Sequence, residues 1–212
     1  MNRRAKWLGR LGKNLFFMLV MVVAAGAQTK APAARANLYS VEKEAALGAG
    51  MAEKYRAQVR VLETASLRAY LGGVVARLEP QFGSSAFPFR VAVTDDAAGA
   101  EAVVLPGGYI FVGAGLVGKA RDEGEIARVL AHAMTHVSER HDTQLVTRSG
   151  MMQLATIPAE VQEKIVPAAV AKMRMRFETD AEFRAGAAVA GWRGDAAGFG
   201  KFRDEVRAAA QK

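Results

Sequence analysis

The sequence predicts a single α+β domain that is mostly helical. Apolar residues recur at helical spacing before residue 80 and after residue 122, whereas residues 89–112 alternate in polarity, as half-buried strands do. The length of 212 residues and the hydrophobic content of 51% suit one domain with its own core.

Residues 1–27 have the three parts of an export signal. A basic start without any acid is followed by an apolar run that closes as A-x-A at Ala27. The 13 apolar residues, 15–27, are too few for a comfortable membrane span, with an uncleaved N-terminal anchor as the alternative. We therefore expect cleavage near Ala27 and a periplasmic or secreted protein, which touches a membrane only if this segment is retained.

Composition excludes several classes of partner and modification. Removal of the predicted signal takes away five basic residues and lowers the formal charge from +8 to +3, an ordinary solubility charge that predicts no nucleic-acid partner. The chain has no cysteine, so disulfides and cysteine-linked lipids are excluded. Small and polar residues at 28–39 predict a flexible leader, which leaves 40–212 as the folded domain.

Two helices are expected before the sheet. Ser40 is a suitable N-cap for a helix over about 41–58. Gly48 either weakens this helix or allows another segment to pack closely against it. Thr64 can cap a second helix, which Pro80 ends.

The small sheet is expected between residues 89 and 112. Residues 89–94 alternate, which predicts a strand whose odd-numbered side chains are buried. Residues 102–105 and 109–112 are rich in β-formers and flank a Pro-Gly-Gly turn at 106–108, so they predict a hairpin.

Three helical stretches follow the sheet. Acidic residues at its start favour a helix over about 123–138. Residues 161–192 have a helical composition, with a restart at Pro167 as one possibility. Asp195 can cap a last amphipathic helix.

The stretch LAHAMTHV, residues 130–137, carries the chemistry. His132 and His136 are four apart, so on a helix their imidazoles lie on one face, at the spacing of the zinc-binding H-E-x-x-H signature. Ala133 stands where that signature has its general-base glutamate. Two histidines at this spacing are also compatible with a structural pair, so this pattern alone leaves both interpretations open.

A zinc site needs a third protein ligand. On a continuing helix, His141 is half a turn out of phase with His132 and faces away. Asp142, six residues after the second histidine, would need a glycine at the position of Glu139 to turn the chain. The remaining candidate for the third ligand is a carboxylate from residues 177–182, on a later helix.

Most of the chain resembles the gluzincin zinc metallopeptidases of the HtpX-like and BepA-like kind. The matching segments are FPFRVAVTDD, AVVLPGGYIFVGAGLV, DEGEIARVLAH and HAMTHVSERH, with EKEAALGAGMAEKY and LRAYLGGVVARLEP upstream and ETDAEFRAGAAVAGWRGD downstream. The resemblance covers nearly all of residues 40–205. It implies a metallopeptidase-like domain in which the histidine helix packs against a glutamate helix beside a small sheet.

The resemblance also implies a ligand set. A gapless alignment places Glu178 on the third zinc ligand and Glu182 on the aspartate that orients a histidine ligand. One Zn²⁺ on His132, His136 and Glu178 is therefore expected.

The departures from the family pattern concern catalysis. Ala133 removes the group that would polarise water and carry its proton, which typically costs ~10²–10⁴ in rate. Glu101 stands where the family tends to have asparagine, and Glu182 is one methylene longer than aspartate. Only 41 residues separate the second histidine from Glu178, fewer than is usual in the family, so substrate-covering elements are expected to be trimmed.

Three functions are compatible with this pattern. The first is an exported pseudopeptidase that keeps zinc and binds unfolded or extended polypeptide, an envelope protein being one candidate, in envelope protein quality control. Such binding would add a strand at Tyr109–Val112 or the adjoining strand. The second is an active metalloendopeptidase with Glu101 as a substitute base. The third is a metal-free structural relic in which both histidines belong to the core.

Overall fold

The described residues, 37–153 and 159–212 of the computed structural model, form α-helices around a three-stranded sheet, which confirms the mostly helical α+β fold. The predicted signal peptide and residues 28–36 of the predicted leader lie outside the described residues. The helices are α1 (Val41–Arg56), α2 (Ala65–Leu78), α3 (Ala114–Lys119), α4 (Glu123–Glu139), α5 (His141–Gln153), α6 (Ala159–Ala188) and α7 (Ala196–Ala210). The strands are β1 (Arg90–Thr94), β2 (Val103–Leu105) and β3 (Tyr109–Gly113). Within the described part, no helix combines the length and the apolar character that a membrane span requires.

The sheet has the order β1-β3-β2, with β1 parallel and β2 antiparallel to β3. The predicted hairpin is confirmed, with Val104 opposite Ile110. Because β3 is hydrogen-bonded on both sides, the expectation that Tyr109–Val112 could accept an added strand is wrong. In the described residues, the edge of β2 away from β3 is unpaired, whereas the outer edge of β1 is bridged near its end by Val61.

The N-terminal helices begin where the sequence predicts. The Ser40 hydroxyl accepts a hydrogen bond from the backbone N–H of Lys43, and the Thr64 hydroxyl caps α2 in the same way. Gly48 serves close packing, because a Cβ there would lie 1.8 Å from the carbonyl oxygen of Pro106 in the turn between β2 and β3. This contact seats α1 against the hairpin.

The core is built around α4 and the sheet. Ile126, Leu130 and Met134 of α4 are fully buried, as is Ile110 of β3. Thr94, expected on the solvent side of β1, is also buried. The segment before α2 also pairs with the end of β1, through an isolated bridge between Val61 and Thr94.

The C-terminal helices include one departure from expectation. Helix α6 runs through Pro167 without a break, so the restart considered there is wrong. A proline inside a helix removes one backbone hydrogen bond, but α6 packs along both α4 and α5, and such tertiary packing outweighs local propensity. Asp195 caps α7 as predicted, through a 2.9 Å hydrogen bond from the Gly198 N–H.

Candidate metal centre

Helix α4 is fixed at its N-terminus before it presents the two histidines. Asp122 caps it by accepting a 3.0 Å hydrogen bond from the Glu125 N–H. The buried Glu123 carboxylate accepts hydrogen bonds from the side chains of Tyr70 at 2.7 Å, Arg77 at 2.6 Å and Trp192 at 3.0 Å. These contacts join α4 to α2 and to the turn after α6, and so restrict how the histidine helix sits against the glutamate helix.

Three predicted ligands converge where α4 packs against α6. The Nε2 atoms of His132 and His136 are 3.1 Å apart. Glu178 Oε2 lies 3.2 Å from the first and 3.5 Å from the second. The exposed fraction of the side chain is 10% for His136, 29% for His132 and 54% for Glu178. The three atoms form a nearly equilateral triangle that is open to solvent on one side.

This triangle fits zinc. Donors about 2.0–2.1 Å from a tetrahedral zinc ion are separated by about 3.3–3.4 Å, and the three observed separations bracket that value. Two imidazole nitrogens and one carboxylate oxygen are also a donor set that catalytic zinc sites use. In the part of the chain that the structure describes, this is the one group of three such side chains close enough to share an ion.

The protonation of the histidines suits coordination. Burial lowers the pKa of His136, although the Glu178 carboxylate opposes this shift, so the imidazole is held neutral. His132 Nδ1 lies 3.4 Å from Glu182 Oε2, so Glu182 can accept a hydrogen bond from Nδ1–H when a metal takes the Nε2 lone pair. Glu182 therefore occupies the place of an orienting carboxylate despite its extra methylene.

Ala133 lies in the wall of an open cavity of about 390 Å³ that contains the triangle. Its methyl group offers neither a proton donor nor an acceptor. Glu101, the candidate substitute base, lines the same cavity, as does Asp142. Val104 of β2 forms another part of the wall, so the outer edge of the sheet and the triangle face one space.

His141 does not face away from the site, contrary to expectation. Helix α4 ends at Glu139, Arg140 is left-handed with φ of 56°, and α5 begins at His141, so the assumption of a continuing helix fails. The His141 ring stacks on Phe177 at 4.3 Å and lies edge-on to His136, with ring centroids 5.0 Å apart. It supports the second ligand by packing and is not one of the three converging donors.

Arg140 is held in its left-handed conformation by tertiary contacts. This conformation costs a non-glycine residue roughly 1–2 kcal/mol. The Arg140 guanidinium donates to the buried Glu44 carboxylate, with Nε at 2.7 Å, and to the Tyr39 carbonyl oxygen at 2.7 Å. Asn37, which the sequence analysis assigns to the flexible leader, hydrogen-bonds to Thr143 of α5 at 2.7 Å, so the end of the leader is tied to this corner.

The comparison with known families agrees with this geometry. The family model of peptidase family M48 matches residues 63–188, which include β1 to β3, α4 and all three converging donors. The chain belongs to peptidase family M48. This is the family of HtpX-like gluzincin metallopeptidases, whose members depend on zinc. No curated protein matches the chain.

One residue at this M48 site, Arg128, was not predicted from the sequence. Arg128 lies on the face of α4 that carries His132 and donates a hydrogen bond to Glu182. Its position four residues before His132 was a usable signal, since residues at that spacing share a helix face. Its partner Glu182, 54 positions further on, could be assigned to it only by the packing of α4 against α6.

Proposed function

We propose that this M48 protein is an exported zinc-binding pseudopeptidase, which binds unfolded or extended polypeptide and hydrolyses it weakly or not at all. The observation that carries the proposal is that the site has the three metal-binding side chains of a zinc peptidase but lacks the general base that normally accompanies them. The donor triangle of His132, His136 and Glu178 has zinc spacing, whereas Ala133 places a methyl group where the proton carrier is required. Envelope protein quality control is the role that we propose for such binding.

The proposed loss of hydrolysis follows from what the side chains at the site can do. A bound zinc ion would supply Lewis acidity. Hydrolysis of a peptide also needs a positioned group that removes a proton and delivers it to the leaving amine. Ala133 can do neither, Glu178 faces the two histidines, and Glu182 is held between Arg128 and His132.

The surroundings of the triangle support polypeptide binding. The unpaired edge of β2 borders the cavity, and such an edge can hydrogen-bond to the backbone of an extended peptide without a general base. Beyond Glu178 and Glu182, the surface continues over a groove lined by Phe183 and Ala187, and the Phe183 side chain is 76% exposed. A large aromatic side chain left in water beside the site suits contact with an apolar side chain of the bound chain.

The first experiment is the metal content of purified residues 28–212, measured by elemental analysis. We expect one zinc per chain, lost in His132→Ala. The matched control is His141→Phe, which changes the third histidine but none of the three donors, and should retain zinc. A folded, zinc-supplemented protein without zinc would refute the zinc part of the proposal and favour the metal-free relic.

The second experiment separates binding from hydrolysis. A fluorescently labelled, permanently unfolded casein fragment should bind to residues 28–212 and remain intact over hours. Cleavage that requires zinc and is lost in Glu101→Gln would instead favour an active enzyme with a substitute base, since Glu101 lines the same cavity. Export is tested by sequencing the N-terminus of the full chain after expression in a Gram-negative host, where we expect mature protein that starts near Gln28.

A further inference from the structure

Glu182 is shared between two residues of α4. One of its carboxylate oxygens accepts a hydrogen bond from the Arg128 guanidinium, and the other lies 3.4 Å from His132 Nδ1. Arg128 and His132 are one helical turn apart and lie on the same face. The three side chains therefore form a chain of contacts from the solvent-exposed Arg128 to an imidazole of the donor triangle.

Because Glu182 has a longer side chain than aspartate, the hydrogen bond from Arg128 matters for the position of its carboxylate. Compared with aspartate, glutamate has one more rotatable bond, so its carboxylate reaches further and samples more positions. Glu182 is 52% exposed, so packing does not restrict it strongly. A guanidinium that holds one oxygen limits where the other can lie.

We propose that Arg128 is a positioning residue for the metal centre. It holds Glu182 so that His132 keeps its proton on Nδ1 and turns the Nε2 lone pair toward His136 and Glu178. The part of this inference that concerns zinc affinity rests on the proposed function, whereas the effect on the His132 tautomer applies equally to the zinc-free protein. In the described residues, the hydrogen-bond and ion-pair partner of Arg128 is Glu182 and none of the three donors, so its effect passes through Glu182.

The first test is zinc affinity, measured by competition with a chromophoric chelator. Loss of a side chain that orients a ligand typically weakens metal binding about 10–100-fold. Since Arg128 acts one step further away, we expect Arg128→Met to weaken zinc binding about 3–10-fold and Arg128→Lys to restore most of it. The matched control is Arg121→Met, which breaks another exposed ion pair, between Arg121 just before α4 and Glu125 in its first turn.

Two further measurements distinguish positioning from a general effect on structure. In zinc-free protein, the Glu182 carboxylate at Nδ1 and the Glu178 carboxylate at Nε2 compete for the ring proton of His132. ¹⁵N NMR of this ring should therefore show a larger share of the Nε2–H tautomer in Arg128→Met than in the wild-type protein. In a Glu182→Ala background, Arg128→Met should have no further effect on either reading. Circular dichroism and thermal unfolding establish that each variant is folded.

The outcomes separate the two proposals. Wild-type protein that binds no zinc refutes the zinc proposal, while the NMR comparison still decides the role of Arg128. An unchanged tautomer in Arg128→Met, or zinc affinity that falls equally in the Glu182→Ala background, overturns the positioning role.

Discussion

Placing a carboxylate at position 133 tests whether the missing general base is what prevents peptide hydrolysis at this site. In Ala133→Glu, the new side chain would extend into the cavity of about 390 Å³, which has room for it. Alanine and glutamate are both good helix formers, so α4 should tolerate the change. The variant adds to the site an acid–base group that Ala133 does not provide.

The expected gain follows from the contribution of a positioned acid–base group. Such a group typically raises a rate by ~10²–10⁴, which is about 3–5 kcal/mol of activation free energy. We expect the lower end, about 10², because Glu182 is one methylene longer than the family's aspartate. The wild-type protein should remain at the background rate.

The assay is cleavage of a quenched fluorescent casein by zinc-loaded protein, with zinc content measured in the same samples. Ala133→Gln has nearly the same shape without the base and should stay at the background rate. His136→Ala in the Ala133→Glu background should lose both zinc and cleavage. If Ala133→Glu carries one zinc per chain and cleaves casein no faster than Ala133→Gln, the missing base is not what prevents hydrolysis at this site.

Three further predictions concern stability and binding. Glu44→Ala should lower the free energy of unfolding by about 3 kcal/mol, because it leaves the charged Arg140 without its carboxylate partner at a left-handed position. A loss below about 1 kcal/mol in urea denaturation would contradict this. Burial raises the pKa of Asp142 from 3.8 to about 6, so its ionisation destabilises the fold increasingly as pH rises through this range. The stability gained in Asp142→Asn should therefore be about 1–2 kcal/mol larger at pH 8 than at pH 5 in chelator-treated protein, and a gain independent of pH would count against a raised pKa. Phe183→Ser should weaken casein-fragment binding several-fold in fluorescence anisotropy, whereas Met175→Ser, at another exposed apolar position on α6, should not; equal effects would remove Phe183 from the binding surface.

The end of α4, at Arg140 and His141, shows where a prediction from neighbouring residues fails. The positions of His132 and His136 follow from helix periodicity, because both ligands lie on one uninterrupted helix. His141 was misplaced because the helix ends before it. The left-handed residue that ends α4 is Arg140, whose side chain is held by Glu44, 96 positions earlier in the chain. No signal near Arg140 in the sequence indicates that contact, since left-handed residues are usually glycine or asparagine.

The sheet likewise has one feature that nearby residues predict and one that depends on distant contacts. The hairpin of β2 and β3 could be predicted, because a short turn joins two β-rich stretches. Which strand of the hairpin keeps an unpaired edge depends on β1, which pairs in parallel with β3 across a longer connection. That pairing leaves the edge of β2 unpaired and beside the cavity.

By itself, the sequence determined α1, α2, α4, α6 and α7, the hairpin, the family resemblance and the two histidines with alanine between them, because caps, turns and periodicity act over a few residues. It did not predict α3 and α5. Tertiary structure alone decided that Glu178 meets both histidines at zinc spacing and that Arg128 and His132 share Glu182. The physical reason is that these contacts join α4 to a helix about 50 positions away, and their geometry depends on how the two helices pack.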